Sequence, residues 1–221
     1  NPVGVFSMVR LNIFVLGVVN TNTYIVYDEN SLDAYIVDPG DESQEVLNYI
    51  NERGLRVKAV IATHGHFDHI LGVDYFRDKL GAEFYMHRGD VIVARDSIEW
   101  LAKRGLKKRT PPKPDKLIEG DADLKLGSLD VKLIHTPGHT PGSICIYLCN
   151  AKILFSGDTI FYESVGRTDL PGGSDIELMK SLRKIFTSLP IETIVYPGHG
   201  SATTLKHELT ANALVKLALQ P

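Results

Sequence analysis

Residues 57–69, Val-Lys-Ala-Val-Ile-Ala-Thr-His-Gly-His-Phe-Asp-His, constrain this chain more than any other stretch. The β-branched run through Val57, Val60 and Ile61 reads as a buried strand ending at Thr63. His64, His66, Asp68 and His69 follow at once. Alternation along extended backbone turns His64 and His66 the same way, and Gly65 between them adds no side chain. Ile70, Leu71, Val73, Phe76 and Leu80 come next, closed by Gly81. That spacing predicts a helix over 69–80 with Asp68 near its N-cap. The plain alternative is a capping Asp among surface histidines. Three His and one Asp within six positions at a strand-to-helix corner instead suit a shared cleft.

Three later stretches repeat one device: a strand stops, a glycine turn follows, and a ligand-type residue is presented. Thr136-Pro137-Gly138-His139, Ser156-Gly157-Asp158 and Tyr196-Pro197-Gly198-His199 each fit it. Pro and Gly permit the sharp backbone such turns need. Together the four stretches offer five His and two Asp. Imidazole and carboxylate suit zinc, iron or manganese, and the lack of Cys in the set argues against a closed structural zinc site. Seven ligands exceed what one tetrahedral ion uses; two ions sharing a carboxylate and a hydroxide would use them all. Such a site stays net positive and favours an oxygen that gains negative charge, which is hydrolytic chemistry. Of the other histidines, His135 reads as a packing or hydrogen-bonding neighbour of the site, and His87 and His207 as having no role there.

The remaining elements read in order as a hairpin over 9–17 and 22–28 and a strand over 34–37 with the turn Asp38-Pro39-Gly40. A helix begins at Asp41, with Gln44 three residues on, and ends at Gly54. A strand over 83–86 and a helix over 88–104 follow. The segment 107–116 holds Pro111, Pro112 and Pro114 and reads as a surface loop of the kind used as a lid. Strands are predicted over 123–126, 129–135, 143–149, 152–156 and 193–196. The helix over 175–189 is marked by a Ser174/Glu177 capping box and a stripe of Leu178, Leu182, Ile185 and Leu189. A last helix is predicted over 205–219. Strand runs mixed with strand-helix-strand passages give an α/β layered fold with mixed sheets.

The 221-residue chain, with no Ser/Gly-rich linker, is read as one domain over 8–221. Residues 1–7 precede the first Met, Met8, and are read as a remnant that carries no weight. A net charge of −3 gives no support for nucleic-acid binding. The one basic cluster, Lys103, Arg104, Lys107, Lys108 and Arg109, reads as a solvated face. No apolar run is long enough to span a membrane. Leu11 to Val19 imitates a signal segment only faintly, because Asn12 interrupts it. Cys145 and Cys149, four apart on a predicted strand, read as small buried apolar residues of a reducing, cytoplasmic compartment.

The motifs Thr-His-Gly-His-Phe-Asp-His, Pro-Gly-His-Thr-Pro-Gly-Ser, Ser-Gly-Asp and Pro-Gly-His-Gly, in that order, resemble the metallo-β-lactamase superfamily from residue 9 onward. Within it the chain resembles the compact glyoxalase II-like (hydroxyacylglutathione hydrolase-like) group, also through Gly166-Arg167-Thr168-Asp169-Leu170. The resemblance implies a four-layer αβ/βα sandwich of two mixed β-sheets flanked by helices. It implies two divalent metal ions, zinc in the first place with iron or manganese as alternatives. His64, His66 and His139 would hold one ion, Asp68, His69 and His199 the other, with Asp158 bridging both. The implied substrate is a small-molecule thioester, and a hydroxide bridging the ions and oriented by Asp68 would attack its carbonyl. Arg167 and Tyr162 are the candidate substrate contacts, and Arg167 alternatively pairs with Asp169. The chain would act as a monomer or homodimer, with no nucleic-acid or membrane partner.

Departures from relatives sharpen this. β-Lactamases of the superfamily usually place Cys where Asp158 stands, so antibiotic hydrolysis is not expected as the main task. Di-iron electron-transfer relatives place Glu where His66 stands. Classical glyoxalase II carries a longer basic C-terminal region, whereas here Lys206 and Lys216 are the only Lys or Arg beyond His199. The alternatives are a mononuclear iron persulfide dioxygenase, whose relatives usually read Ala-His-Asp in place of Gly198-His199-Gly200, a hydrolase of another ester or lactone, and an idle metal-binding scaffold.

Overall fold

The computed structural model describes residues 8–106 and 109–221. The remnant expected at 1–7, and Lys107 and Lys108 of the basic cluster, lie outside the described residues. One six-stranded sheet runs β1 (Val9–Leu16), β2 (Thr21–Asp28), β3 (Asp33–Val37), β4 (Arg56–Ile61), β5 (Glu83–His87) and β6 (Lys116–Ile118), paired in that order. Its first three strands are antiparallel and β3 to β6 are parallel. Parallel pairing needs crossovers, and helices supply them: α1 (Gln44–Glu52), α2 (Phe67–Ile70), α3 (Val73–Leu80) and α4 (Val91–Ala102).

β7 (Ala122–Leu126), β8 (Leu129–His135), β9 (Ile144–Leu148) and β10 (Ile153–Gly157) come next. β11 (Ile160–Phe161) and β12 (Ser164–Val165) form a small ribbon, and α5 (Asp175–Ser188) leads to β13 (Ile194–Pro197) and β14 (Thr203–Thr204). The second sheet has the order β14-β13-β10-β9-β8-β7. α6 (Leu205–Ala211) and α7 (Ala213–Ala218) close the chain.

Side-chain alternation builds the layers. On β2 and β3, Ile25, Ala34 and Ile36 face α1 to α4, packing with Val46, Ile50, Phe76 and Ile98. Their neighbours Tyr24, Val26, Tyr35 and Val37 face the other sheet, against Leu133, Ile146 and Phe155. Beyond that sheet Cys145, Leu154 and Val195 pack on Leu178, Leu182, Ile185 and Val215. This is the expected sandwich of two mixed sheets between helices.

Several expected boundaries moved, each for a tertiary reason. The helix over 69–80 is two helices, and Asp68 stands in the first turn of α2, behind His66 as N-cap. The break falls at Gly72, whose N–H donates to Pro39 O at 2.9 Å and where a Cβ would lie 2.4 Å from Asp41 O. Ser43, not Asp41, caps α1, accepting the Val46 N–H. The first turn of the helix over 88–104 is a 3₁₀ turn, Arg88–Asp90. The last helix breaks at Asn212, whose extended backbone lets its side chain cap α7. Lys116 leaves the proline loop to pair in β6. Cys145 is buried, but Cys149 is exposed, because β9 ends at Leu148 and the chain is already turning.

The strand ends set up the site. β8, β10 and β13 run the same way, so the chain leaves all three at one rim of the second sheet. The turn after β4 meets this rim, where Ile144 N–H donates to Thr63 O at 2.8 Å.

Candidate metal centre

All seven ligand-type residues converge at this rim, in two groups. His64, His66 and His139 form one; Asp68, His69, Asp158 and His199 form the other, and within each group the ligand atoms lie within 4.8 Å of one another. β4 stops at Ile61, so a bend after the strand, and not alternation along it, brings His64 and His66 together, with ring centroids 4.9 Å apart. Asp158 follows β10 and stands between the groups. Its Oδ2 is 3.4 Å from His139 Nε2 and 3.7 Å from His64 Nε2, and its Oδ1 is 3.4 Å from His69 Nε2. Asp68 Oδ2 lies 3.1 Å from His199 Nε2 and 3.2 Å from His69 Nε2. Gly198 is required by this crowding, since a Cβ there would meet Asp158 Oδ1 at 2.4 Å and His69 Cε1 at 2.7 Å.

The ring partners fix which nitrogens are free. His139 Nδ1 donates to Arg167 O at 2.7 Å, His64 Nδ1 to Thr63 Oγ1 at 3.0 Å, His69 Nδ1 to Asp38 Oδ2 at 2.8 Å and His199 Nδ1 to Asn20 O at 3.3 Å. Each of these four therefore turns an Nε2 lone pair inward, while His66 turns Nδ1 inward, 3.1 Å from His139 Nε2. Among the described residues five buried side-chain polar atoms lack a hydrogen-bond partner, and three belong here: His64 Nε2, His69 Nε2 and Asp158 Oδ1. Orphaned lone pairs aimed at a common point are costly unless a cation takes them. The residues fit metal ions, and the His/Asp set is a metal-binding cluster.

Without a cation the two groups are electrostatically unlike. Burial, then the neighbouring histidines, pushes His64 well below the ordinary imidazole range and His66 down to about 4. Burial also opposes charge on His69, but Asp158, Asp68 and Asp38 outweigh it and push that ring up. His199 likewise rises against its burial, through Asp68 and Asp158. Burial raises the carboxyls of Asp68 and Asp158, yet His69 and the other rings more than reverse this and hold both low.

Asp38, in sequence only the first residue of an Asp-Pro-Gly turn, has a larger part in the structure. It is buried at positive φ (52°) at the end of β3 and accepts from Thr63 N–H and Thr63 Oγ1, both at 2.7 Å, besides His69. A non-glycine residue in the left-handed region at a strand end was the available signal. Asn22 was missed too: its Nδ2 donates to Pro197 O and Gly200 O at 3.1 and 2.9 Å, clamping the loop that carries His199. Arg167 contributes its carbonyl, as above, while its exposed guanidinium pairs with Asp169 at 2.6 and 2.8 Å. Tyr162 is half exposed and stacks on His207 at 5.2 Å, and His207 also pairs with Glu163 at 3.0 Å. His135 hydrogen-bonds Pro141 O and stacks on His87 at 4.0 Å, so both are neighbours of the ligand loop rather than ligands.

The family model described as the metallo-beta-lactamase superfamily matches residues 16–199. The chain belongs to that superfamily and is a metal-dependent hydrolase of it. It is 35% identical to a probable metallo-hydrolase YqgX of Bacillus subtilis (strain 168), over 89% of this chain and 93% of that one. It is 32% identical to the hydroxyacylglutathione hydrolase GloC of Haemophilus influenzae, over 86% and 91%. Among solved structures it is similar to TTHA1623 in a di-iron-bound form, with 35% identity, TM-score 0.82 and coverage of 91% of this chain and 98% of that one. It is similar also to BLEG-1, a B3 metallo-beta-lactamase, with 35% identity, TM-score 0.81 and coverage of 93% and 99%.

Proposed function

We propose that the chain is a dinuclear metal-dependent thioesterase acting on S-2-hydroxyacyl-glutathione or a similar small acyl-thioester. The observation that carries this reading is the position of Asp158 between the groups: its Oδ2 faces His139 and His64 and lies 3.6 Å from His199 Nε2, and its Oδ1 faces His69. His64, His66 and His139 would hold the first ion, Asp68, His69 and His199 the second, and Asp158 would be shared by both. Zinc fits the donor set, with iron or manganese as alternatives. Once bound, the ions let a water ionise near neutral pH and offset the charge that grows on the carbonyl oxygen.

The chain's own residues do the rest. The four fixed Nδ1–H groups keep the ligand rings from turning, so the cluster is preorganised. Asp68, whose Oδ2 also faces Thr21 Oγ1 at 3.5 Å, is less enclosed than Asp158 and orients the attacking water. The acyl C–S bond breaks, and the sulfur leaves as a thiolate. A thiol is acidic enough, near pKa 8.5, to need no strong acid to assist it. Arg167, exposed and able to exchange Asp169 for an anionic group of the substrate, and Tyr162 are the substrate contacts.

The resemblance to GloC supports a thioester substrate. Among the described residues no helix is long and apolar enough to cross a membrane. We place the reaction in the reducing cytoplasm, where free Cys145 and Cys149 stay unpaired, in a monomer or homodimer and without a nucleic-acid partner. A second reading, β-lactam hydrolysis, draws on the likeness to BLEG-1. Metal-loaded protein offered a panel of acyl-thioesters, lactones and β-lactams separates the two. Fastest turnover on a thioester, abolished in Asp158→Ala, is expected; turnover of β-lactams alone would reverse the assignment.

A further inference from the structure

Asp90 stands at the N-terminus of α4, where an Asp usually accepts from its own helix. Its side chain makes no such cap bond. The carboxylate, wholly buried, is turned the other way, into the gap between two ligand loops. Oδ2 accepts the Gly65 N–H at 2.8 Å and the Thr140 hydroxyl at 2.7 Å, and Oδ1 accepts the Gly142 N–H at 2.6 Å. Gly65 is the residue between His64 and His66, and Thr140 follows His139. The space is closed as well as polar, since a Cβ on Gly142 would lie 2.6 Å from Asp90 N.

We infer that Asp90 is a positioning residue that fixes the His64–His66 loop and the His139 loop at the separation one metal ion requires. This rests on reading those three histidines as a half-site. Three donors from two loops meet one carboxylate, so neither loop can shift without leaving a buried N–H or O–H unpartnered. An amide in its place has one acceptor oxygen, and its NH₂ would face an N–H. The second group, Asp68, His69, Asp158 and His199, makes no hydrogen bond with Asp90, so its affinity is independent.

The test is a double-mutant cycle on the 221-residue chain, read as zinc affinity by competition with a chromophoric chelator. In a His69→Ala background, which leaves the three-histidine half-site, Asp90→Asn is expected to weaken the remaining ion by roughly 10- to 100-fold. In a His66→Ala background, which leaves the other, it is expected to change nothing. Thr140→Val should reproduce a smaller part of the first effect and Thr140→Ser should restore it, and this pair decides the matter if Asp90→Asn does not fold. Equal weakening in both backgrounds, or a drop in thermal midpoint with affinities unchanged, would overturn the inference and leave the metal reading standing. Zinc binding by neither background nor wild type would instead remove the half-site reading, and this inference with it.

Discussion

Asp38 Oδ2 lies 2.8 Å from His69 Nδ1, and both side chains are sealed from solvent. The same carboxylate holds Thr63 just ahead of His64, so one residue at the end of β3 steadies both halves of the cluster. Asp38→Ala would leave three buried donors without partners, at a cost of about 3 kcal/mol or more. Metal affinity should fall roughly 10- to 100-fold, because His69 loses the bond that sets its tautomer. Chemical denaturation and metal competition on the same sample check both; unchanged metal affinity would show that Asp38 serves the fold alone.

Removing metal should loosen the whole molecule. A ligand that binds only the native state at about 1,000 times its Kd adds about 4 kcal/mol. For a chain of this size that is a midpoint shift on the order of 10 °C. Calorimetry before and after chelation, with recovery on adding zinc back, measures it. A midpoint that ignores the chelator would speak against metal at this rim.

His87 predicts an acid limb to the stability curve that has nothing to do with metal. Burial, then its neighbour His135, pushes the imidazole down to about 4, while the unfolded chain titrates near the ordinary imidazole value of 6.5. Between those values the unfolded state takes up the proton and the folded state does not. The group therefore costs stability as pH falls from 6.5 to about 4 and is silent above. Asn at this position can still accept from the Gly89 N–H, now at 3.0 Å, but cannot titrate. His87→Asn should flatten the fall of thermal midpoint between pH 6.5 and 4, followed by circular dichroism on metal-free protein. His64 and His66, also held low without metal, keep part of the slope; a slope as steep as wild type would count against His87 as a contributor.

Arg167 makes a kinetic prediction. Its guanidinium is exposed and its Asp169 partner equally so, so the pair adds little to stability. Arg167→Ala should leave the thermal midpoint unchanged and raise KM several-fold with kcat nearly constant, because the carbonyl that holds His139 remains. A fall in kcat without a change in KM would point to the His139 loop rather than to substrate binding.

The convergence of the seven ligand-type residues was legible because each sits in a Gly- or Pro-marked turn just past an apolar strand, so local sequence announces both the strand and its exit. The layers were legible from period-two strands and from the Leu178, Leu182, Ile185 stripe of α5. What stayed hidden is set by partners distant in sequence. The helix breaks at Gly72 where its N–H is taken by the distant Pro39 O, and β6, β11, β12 and β14 are too short to declare themselves without a pairing edge. In the sequence Asp38 and Asp90 stand in ordinary local settings, a Pro-Gly turn and the start of a helix. Their partners at His69 and Thr140 lie 31 and 50 positions away.

The proposed thioesterase depends above all on two ions acting together across Asp158. Metal-free protein should be titrated with zinc while thiol release from lactoylglutathione is followed under nitrogen. Activity is expected to keep rising until about two equivalents are bound, with no need for oxygen. Full activity at one equivalent, or turnover that appears only with iron and oxygen, would contradict it.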